Sequence, residues 1–506
     1  MQNIDYCLEQ QNDRTRCSSR DGIPERTKEP DMKYFFAIIG LACLFAGCGR
    51  QHSGYDRLLR SPDVLFYHVP VGLCEDYPEE TTTLKIIRKD MEFLRHSGID
   101  LLRISFGWDA IESERDQYDW HFWDDYVRMA VEEYGITLIP YVCYTPQWNS
   151  TGAQDTLNFW SYPPVDYEQF GVFMRALVSR YSRWIKSWEL WNEPDISAYW
   201  RGSAADLARL VRIGSNAVRE TDPEAIVVLP GLAHRTEFTR ELFRDHGISP
   251  FVDVVNIHNY FETWHPSPVE AIADYVDEIA AIVHDYGDHQ SIWMAEVGYS
   301  TWRVGARVSD HYQAYYDYEH TLDYQAIDLF KRLSLVAATN KMAAIAWYEL
   351  KDLPQVEDVI GDNNNRNLGV AYLDHAAKPA AGALMFFNSL FSQPYRGITT
   401  ELTMRRQPES DSHVVGFENE DGSVILVAWL RTADVQKRGD DVSGEVKDLR
   451  QEKIDIVIPR ALSGTATLYT ELGDATAYEQ VERSAAETLV RDLTLEGGKI
   501  AILHIQ

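Results

Sequence analysis

Eight short, largely apolar runs separated by stretches of helical periodicity constrain this chain more than any other feature. They fall at Val64–Val69, Leu101–Phe106, Ile136–Val142, Trp188–Trp191, Ala225–Leu229, Val252–His258, Ile292–Glu296 and Ala343–Trp347. Short apolar runs without strict alternation mark strands buried on both faces, as in a parallel sheet. Between the first two, Leu84, Ile87, Met91 and Leu94 recur at helical spacing before Gly98, a residue suited to a helix C-cap. Trp123, Val127, Ala130, Val131 and Tyr134 form the next stripe, closed by Gly135. Phe173, Met174, Leu177 and Tyr181 mark a third, and Ile272, Val276, Ile279 and Val283 a fourth. Eight βα units predict an α/β chain whose sheet closes into a (β/α)8 TIM barrel.

From about residue 396 the alternation changes. Val414–Phe417 and Val424–Trp429 flank Asp421-Gly422, a hairpin signature. Ile454–Ile458 and Ile500–Ile505 add further strands. A chain of 506 residues has room for a barrel and a smaller domain. The expected division is a barrel over 62–395 and an all-β sandwich over 396–506.

The leading segment reads differently. Met32-Lys33 opens a basic start, followed by an apolar run through Ala46 that is too short to span a bilayer and fits a signal-peptide core. Phe45-Ala46-Gly47-Cys48 resembles a bacterial lipoprotein cleavage site, with Cys48 as the lipidated residue. Residues 1–48 are therefore expected to be an N-terminal extension and signal peptide, with initiation at Met32, and 49–61 a tether. An exported protein held to a membrane through Cys48 follows. A formal net charge of −30 argues against a nucleic-acid partner bound through a basic footprint. Beyond Cys48 only Cys74 and Cys143 remain, which leaves open one bridge or two buried thiols. No Cys/His spacing resembles a zinc site, and neither metal nor cofactor is expected.

The chemistry is carried by two strand ends. Trp188-Glu189-Leu190-Trp191-Asn192-Glu193-Pro194 starts as a strand and stops where proline removes a ladder donor. That places Asn192 and Glu193 at the C-terminal rim of the sheet, where reactive groups collect. Ala295-Glu296-Val297-Gly298 presents a second carboxylate about a hundred residues downstream. Three βα units of roughly 30 residues each fill that gap, as a step from the fourth strand to the seventh requires. Two carboxylates on different strand ends suit glycosidic bond cleavage.

Taken together, Trp191-Asn192-Glu193-Pro194, Ile257-His258-Asn259-Tyr260, Ala295–Gly298 and the late Trp347 resemble the retaining (β/α)8-barrel glycoside hydrolases over residues 62–392. Within that clan the chain is most similar to family 39, which includes β-xylosidases, α-L-iduronidases and some exopolysaccharide hydrolases. The resemblance implies that Glu193 is the general acid and then base, that Glu296 is the nucleophile, and that the partner is an oligosaccharide or polysaccharide. It also implies that Asn192 holds the sugar 2-hydroxyl, that His258 and Tyr260 touch nucleophile and sugar, and that Trp347 forms a hydrophobic floor. Glu193 is expected to have the raised pKa, with Glu296 kept ionised by a donor such as Arg103 or Tyr260. Glu189, deeper in the barrel, is expected to pair with Arg103.

The loops 144–165, 298–322 and 349–378 are long and rich in Trp, Tyr, Asn and Asp, and are expected to wall a pocket. Trp148, Trp200, Trp264 and Trp302 are rim candidates. Asp352 and Glu349 could meet sugar hydroxyls or solvent, and Asp362–Asn365 reads as an ordinary loop or a calcium site. An exo-acting glycosidase is expected. The alternatives are an endo-acting glycanase of the same clan and a non-catalytic surface glycan-binding lipoprotein.

Overall fold

Strands β1 (Val71–Glu75), β2 (Leu101–Gly107), β3 (Thr137–Cys143), β4 (Ser187–Glu189), β5 (Ile226–Leu232), β6 (Val254–Asn259), β7 (Ser291–Val297) and β8 (Met342–Tyr348) close a barrel in sequence order. Every pairing is parallel, including the closing one between β1 and β8. The computed structural model describes residues 54–61, 63–76, 82–354, 362–432 and 444–506. The signal peptide and Cys48 lie outside the described residues. Among these, no helix is long and apolar enough to cross a membrane.

Alternation within each strand sorts the barrel into two environments. On β2, Leu102, Ile104 and Phe106 pack outward against the helices, while Leu101 joins the interior. On β8, Ile345 and Trp347 pack outward, and Ala344 and Ala346 face the interior. The capping glycines behave as read: Gly98 and Gly135 end their helical segments at φ 68° and 72°, left-handed values that suit glycine.

Two parts of the leading region differ from expectation. The first strand is Val71–Glu75, not Val64–Val69, because Pro70 interrupts the apolar run. Val64 and Leu65 are exposed, and Tyr67 makes only an isolated bridge to Tyr395. Residues 54–61, read as part of a tether, instead stopper the barrel. Tyr55 and Leu58 join the interior cluster of Leu101, Ile139, Val228, Val254 and Trp293. Tyr55 Oη donates to the Leu138 carbonyl at 2.6 Å, and Trp293 Nε1 donates to the Leu58 carbonyl at 2.7 Å. Arg57 closes the rim through a two-pronged bond to Asp100, 2.8 Å on each prong.

The C-terminal region is a two-sheet β structure. β10 (Thr403–Arg405), β13 (Gln451–Ile458), β17 (Thr488–Glu496) and β16 (Val481–Arg483) form one sheet in that order. β15 (Ala475–Ala477), β14 (Ala466–Tyr469), β18 (Ile500–Ile505), β12 (Val424–Leu430), β11 (Ser412–Asn419) and β9 (Tyr395–Gly397) form the other. β12 explains how this region meets the barrel. Val424, Leu426, Ala428 and Leu430 face the opposite sheet, whereas Ile425, Val427 and Trp429 join the barrel core. A strand buried on both faces reads as an unbroken apolar run, which Val424–Leu430 is. Trp429 donates to Glu270 at 2.7 Å, and Phe417 packs edge-on to Phe391 beyond the helix Pro379–Leu390.

Candidate active site

Arg103, on β2, is fully buried at the centre of the barrel and organises the charges above it. Its Nε and Nη2 bond the two oxygens of Glu189 at 2.9 and 3.0 Å. Nη2 also reaches Asn192 Oδ1 at 2.8 Å, and Nη1 reaches Glu296 Oε2 at 2.7 Å. The guanidinium lies over the Tyr141 ring, 4.1 Å from its centroid. Glu189 is itself held by the Gly231 amide at 2.7 Å and the Asn256 amide at 3.0 Å. Buried charges persist only when paired and hydrogen-bonded, and this network meets that condition.

Beyond Glu189 the fourth strand ends and alternation stops. Trp191 and Glu193 adopt φ of 118° and 42°, sparsely populated for residues with side chains. The Glu193 amide donates to the Gly231 carbonyl at 2.8 Å, and Asn192 bridges to Gly231. As a result Asn192 and Glu193, adjacent in sequence, both line the cavity. Trp191, which strand alternation would put on the face of Glu193, instead packs edge-on against Trp200 and Tyr144. Asp195 pins the turn by accepting from the amides of Ala233, His234 and Arg235 at 2.9–3.0 Å.

Glu296 sits opposite, brought inward by an irregularity in the β7–β8 register between Met294 and Val297. Tyr260 Oη donates to its Oε1 at 2.7 Å, so each oxygen of Glu296 has a donor. Burial holds the Tyr260 phenol protonated and hence a donor. Arg332, itself buried, fixes the segment carrying Tyr260 through Asn259 Oδ1 at 3.2 Å and the Phe261 carbonyl.

His258 stands between the two carboxylates, with Nδ1 2.9 Å from Glu193 Oε1 and 3.5 Å from Glu296 Oε2. One oxygen of each glutamate and a His258 ring nitrogen all lie within 4.8 Å of one another. The same trio has cation-binding geometry, but the Arg103 guanidinium bonded to Glu296 already supplies the positive charge there. Burial, then the Arg103 charge, holds the imidazole neutral. Its Nε2 lies against Gly231 with no hydrogen-bond partner among the described residues. That assigns the proton to Nδ1, donated toward Glu193 Oε1.

The two glutamates are unequal. Burial, then Glu296 and then Asp195, push Glu193 well above the usual carboxylate range. Burial also pushes Glu296 up, to about 7, against the pull of Arg103. Both are raised, not Glu193 alone. The proton the pair holds belongs on Glu193, which has no cation in contact, while guanidinium and phenol stabilise the anion on Glu296.

A cavity of about 430 Å³ opens above these groups, lined by Asp76, Asn192, Glu193, Tyr199, Tyr260, Trp264, Glu296 and Tyr348 among others. Trp347 does not reach it. That side chain packs outward with the helices, and Tyr348, one residue on, lines the cavity instead. Trp148 also stays outside, edge-on to Trp108 and bonded to the Glu112 carbonyl at 2.8 Å. Of the rim tryptophans Trp264 alone is in the lining, anchored to Asp362 at 3.0 Å. Asp352 pairs with Lys378 at 2.6 Å, and Glu349 is buried away from the cavity. Asp362 and Asn365 contribute to the wall. Cys74 and Cys143 are free and buried. Asp76, Tyr199 and Tyr348 were not singled out in the sequence. Strand parity would have found Tyr348 from Ala344 and Ala346, and Asp76 from Gly72 and Cys74 once β1 was placed correctly.

The sequence model of glycoside hydrolase family 42, described as beta-galactosidase, matches residues 76–161. A family 39 glycoside hydrolase from Bacteroides cellulosilyticus WH2 is similar in structure, with TM-score 0.58, 16% identity, and 86% of this chain and 81% of that one covered. A monomeric beta-xylosidase from Caulobacter crescentus CB15 gives 0.57 at 16% identity, covering 88% of this chain and 97% of its own. A family 30 subfamily 8 xylanase from Clostridium acetobutylicum gives 0.56 at 12%, covering 88% and 98%. At these identities the likeness establishes the fold, that of the (β/α)8 glycoside hydrolases, family 39 among them.

Proposed function

We propose that this chain is a retaining, exo-acting glycoside hydrolase. The observation that carries the reading is the placement of buried Glu193 beside a doubly hydrogen-bonded Glu296, with an oxygen of each within 4.8 Å of the other at the barrel rim. Retaining enzymes hold their carboxyl groups about 5–5.5 Å apart, whereas inverting ones leave room for a water at about 6.5–9.5 Å. In the first step Glu296 attacks the anomeric carbon as Glu193 gives its proton to the departing oxygen. In the second, Glu193 takes a proton from water, whose oxygen displaces Glu296 and frees the sugar. Asn192, with Oδ1 committed to Arg103, has its amide N–H groups available for the sugar 2-hydroxyl. Tyr348 supplies an aromatic face for the ring. A cavity of about 430 Å³ suits a terminal sugar better than a chain lying across the barrel.

The deciding experiment follows the anomer first released from an aryl glycoside by NMR, starting with β-xyloside, β-glucoside, β-galactoside and α-L-arabinopyranoside. Retention, with loss of turnover in Glu296→Gln, supports the reading; inversion, or an unaffected Glu296→Gln, overturns it. Products from oligosaccharides of graded length separate exo from endo action. The motif ending at Cys48 further supports export and a lipid anchor, which labelling with a radioactive fatty acid in wild type and Cys48→Ala tests.

A further inference from the structure

The cavity holds a carboxylate that the two-step hydrolysis does not use. Asp76 follows β1 on the face of Gly72 and Cys74 and lines the cavity beside Tyr348. Its carboxylate accepts hydrogen bonds from the hydroxyls of Tyr141 and Tyr348. A carboxylate offers about four lone-pair sites, so these two anchors leave acceptors for a ligand. Asp76, Glu193, Glu296 and Asp362 together place four carboxyl groups around one small cavity, of which Glu193 carries the proton. No Lys or Arg lines it among the described residues. Arg103 lies beneath, its donors committed to Glu189, Glu296 and Asn192.

We infer that Asp76 sets the class of sugar: it accepts two neighbouring hydroxyls of a neutral terminal sugar and turns away sugars that carry a carboxylate. The inference rests on the hydrolase reading and deepens it. A uronate held near Asp76 meets like charge in a partly desolvated site whose lining, among the described residues, offers no Lys or Arg and only His234 and His265 as bases, a discrimination of about 10²–10³-fold. Replacing the acceptor by an amide keeps the volume, removes the charge and weakens the grip on neutral sugars.

The test uses wild type, Asp76→Asn and Tyr141→Phe against aryl xylosides, glucosides, galactosides and arabinosides and the matching glucuronides and galacturonides. Binding of the corresponding free sugars is read in parallel from intrinsic fluorescence. The expected result is turnover and binding of a neutral sugar by wild type, with uronides at least about a hundredfold poorer. Asp76→Asn should raise KM for the neutral substrate about tenfold or more at an unchanged thermal midpoint, with Tyr141→Phe smaller in the same direction. Uronides accepted as well as neutral sugars, an Asp76→Asn KM equal to wild type, or binding of neither class would overturn the inference. Turnover of uronides leaves the hydrolase reading standing. Binding of neutral sugars alone, without turnover of any glycoside, removes the hydrolase reading while charge selection survives.

Discussion

Gly231 packs against His258 so closely that a Cβ built on the glycine would lie 2.0 Å from Nε2. The same glycine receives the Glu193 amide through its carbonyl and gives its own amide to Glu189. A methyl group at 231 must therefore push the imidazole away from Glu193. Gly231→Ala should lower kcat/KM by about 10²-fold or more through loss of the aligned acid. Steady-state kinetics set beside the thermal midpoint separates this from simple unfolding.

The pH dependence of activity and of stability should run in opposite directions. Glu296 must be ionised to attack, and burial has pushed it up to about 7, so kcat/KM should fall as pH drops below that value. For folding the sign reverses. Between about 4.5 and 7 the folded state binds more protons at this site than the unfolded chain does. Stability is thus greatest below that window and declines as pH rises through it, by up to about 3 kcal/mol. Denaturant midpoints from pH 4 to 8 should show this decline in wild type and a flatter profile in Glu296→Gln.

Arg103 should prove inseparable from the pH behaviour of Glu296. Arg103→Met leaves Glu189 and Glu296 buried without their cation and should cost about 3–5 kcal/mol of stability. Arg103→Lys keeps the charge but cannot aim separate N–H groups at Glu189, Asn192 and Glu296. It should fold, lose activity and shift the acidic limb of the rate profile upward.

The neighbours Trp347 and Tyr348 should behave as different kinds of residue. Trp347 is fully buried among the outer packing, so Trp347→Ala should cost about 3–5 kcal/mol, read as a drop in denaturant midpoint. Tyr348→Phe should leave the midpoint nearly unchanged and raise KM, because it removes only the hydroxyl that anchors Asp76.

Cutting the chain before Tyr395 should yield insoluble protein. The cut strips Phe417, Val427 and Trp429 from the barrel's outer packing and bares Phe391 and the helix Pro379–Leu390. In the intact protein, calorimetry should show one cooperative transition. Two separated transitions would contradict the shared core.

The barrel was legible in the sequence because its strands are buried on both faces and so stand out as apolar runs. The two glutamates were legible because each ends such a run. What escaped was parity. Reading Val64–Val69 as the first strand put the wrong residues at its rim and hid Asp76. Carrying Trp347 over from the family resemblance put it in place of Tyr348, although Ala344 and Ala346 set the inward phase of β8. Alternation also gave no warning at Trp191 and Glu193, whose positive φ values break it. The seating of Tyr55 and Leu58 left no local signal at all, since their hydrogen-bond partners, Leu138 and Trp293, lie 83 and 235 residues downstream.

That seating bears on the order of assembly. A ribosome delivers Tyr55 and Leu58 before any barrel strand exists, yet Leu58 gives its carbonyl to Trp293 and Arg60 gives its amide to Ser291. The first described stretch to emerge thus gains its full set of partners only once the seventh stave has been made.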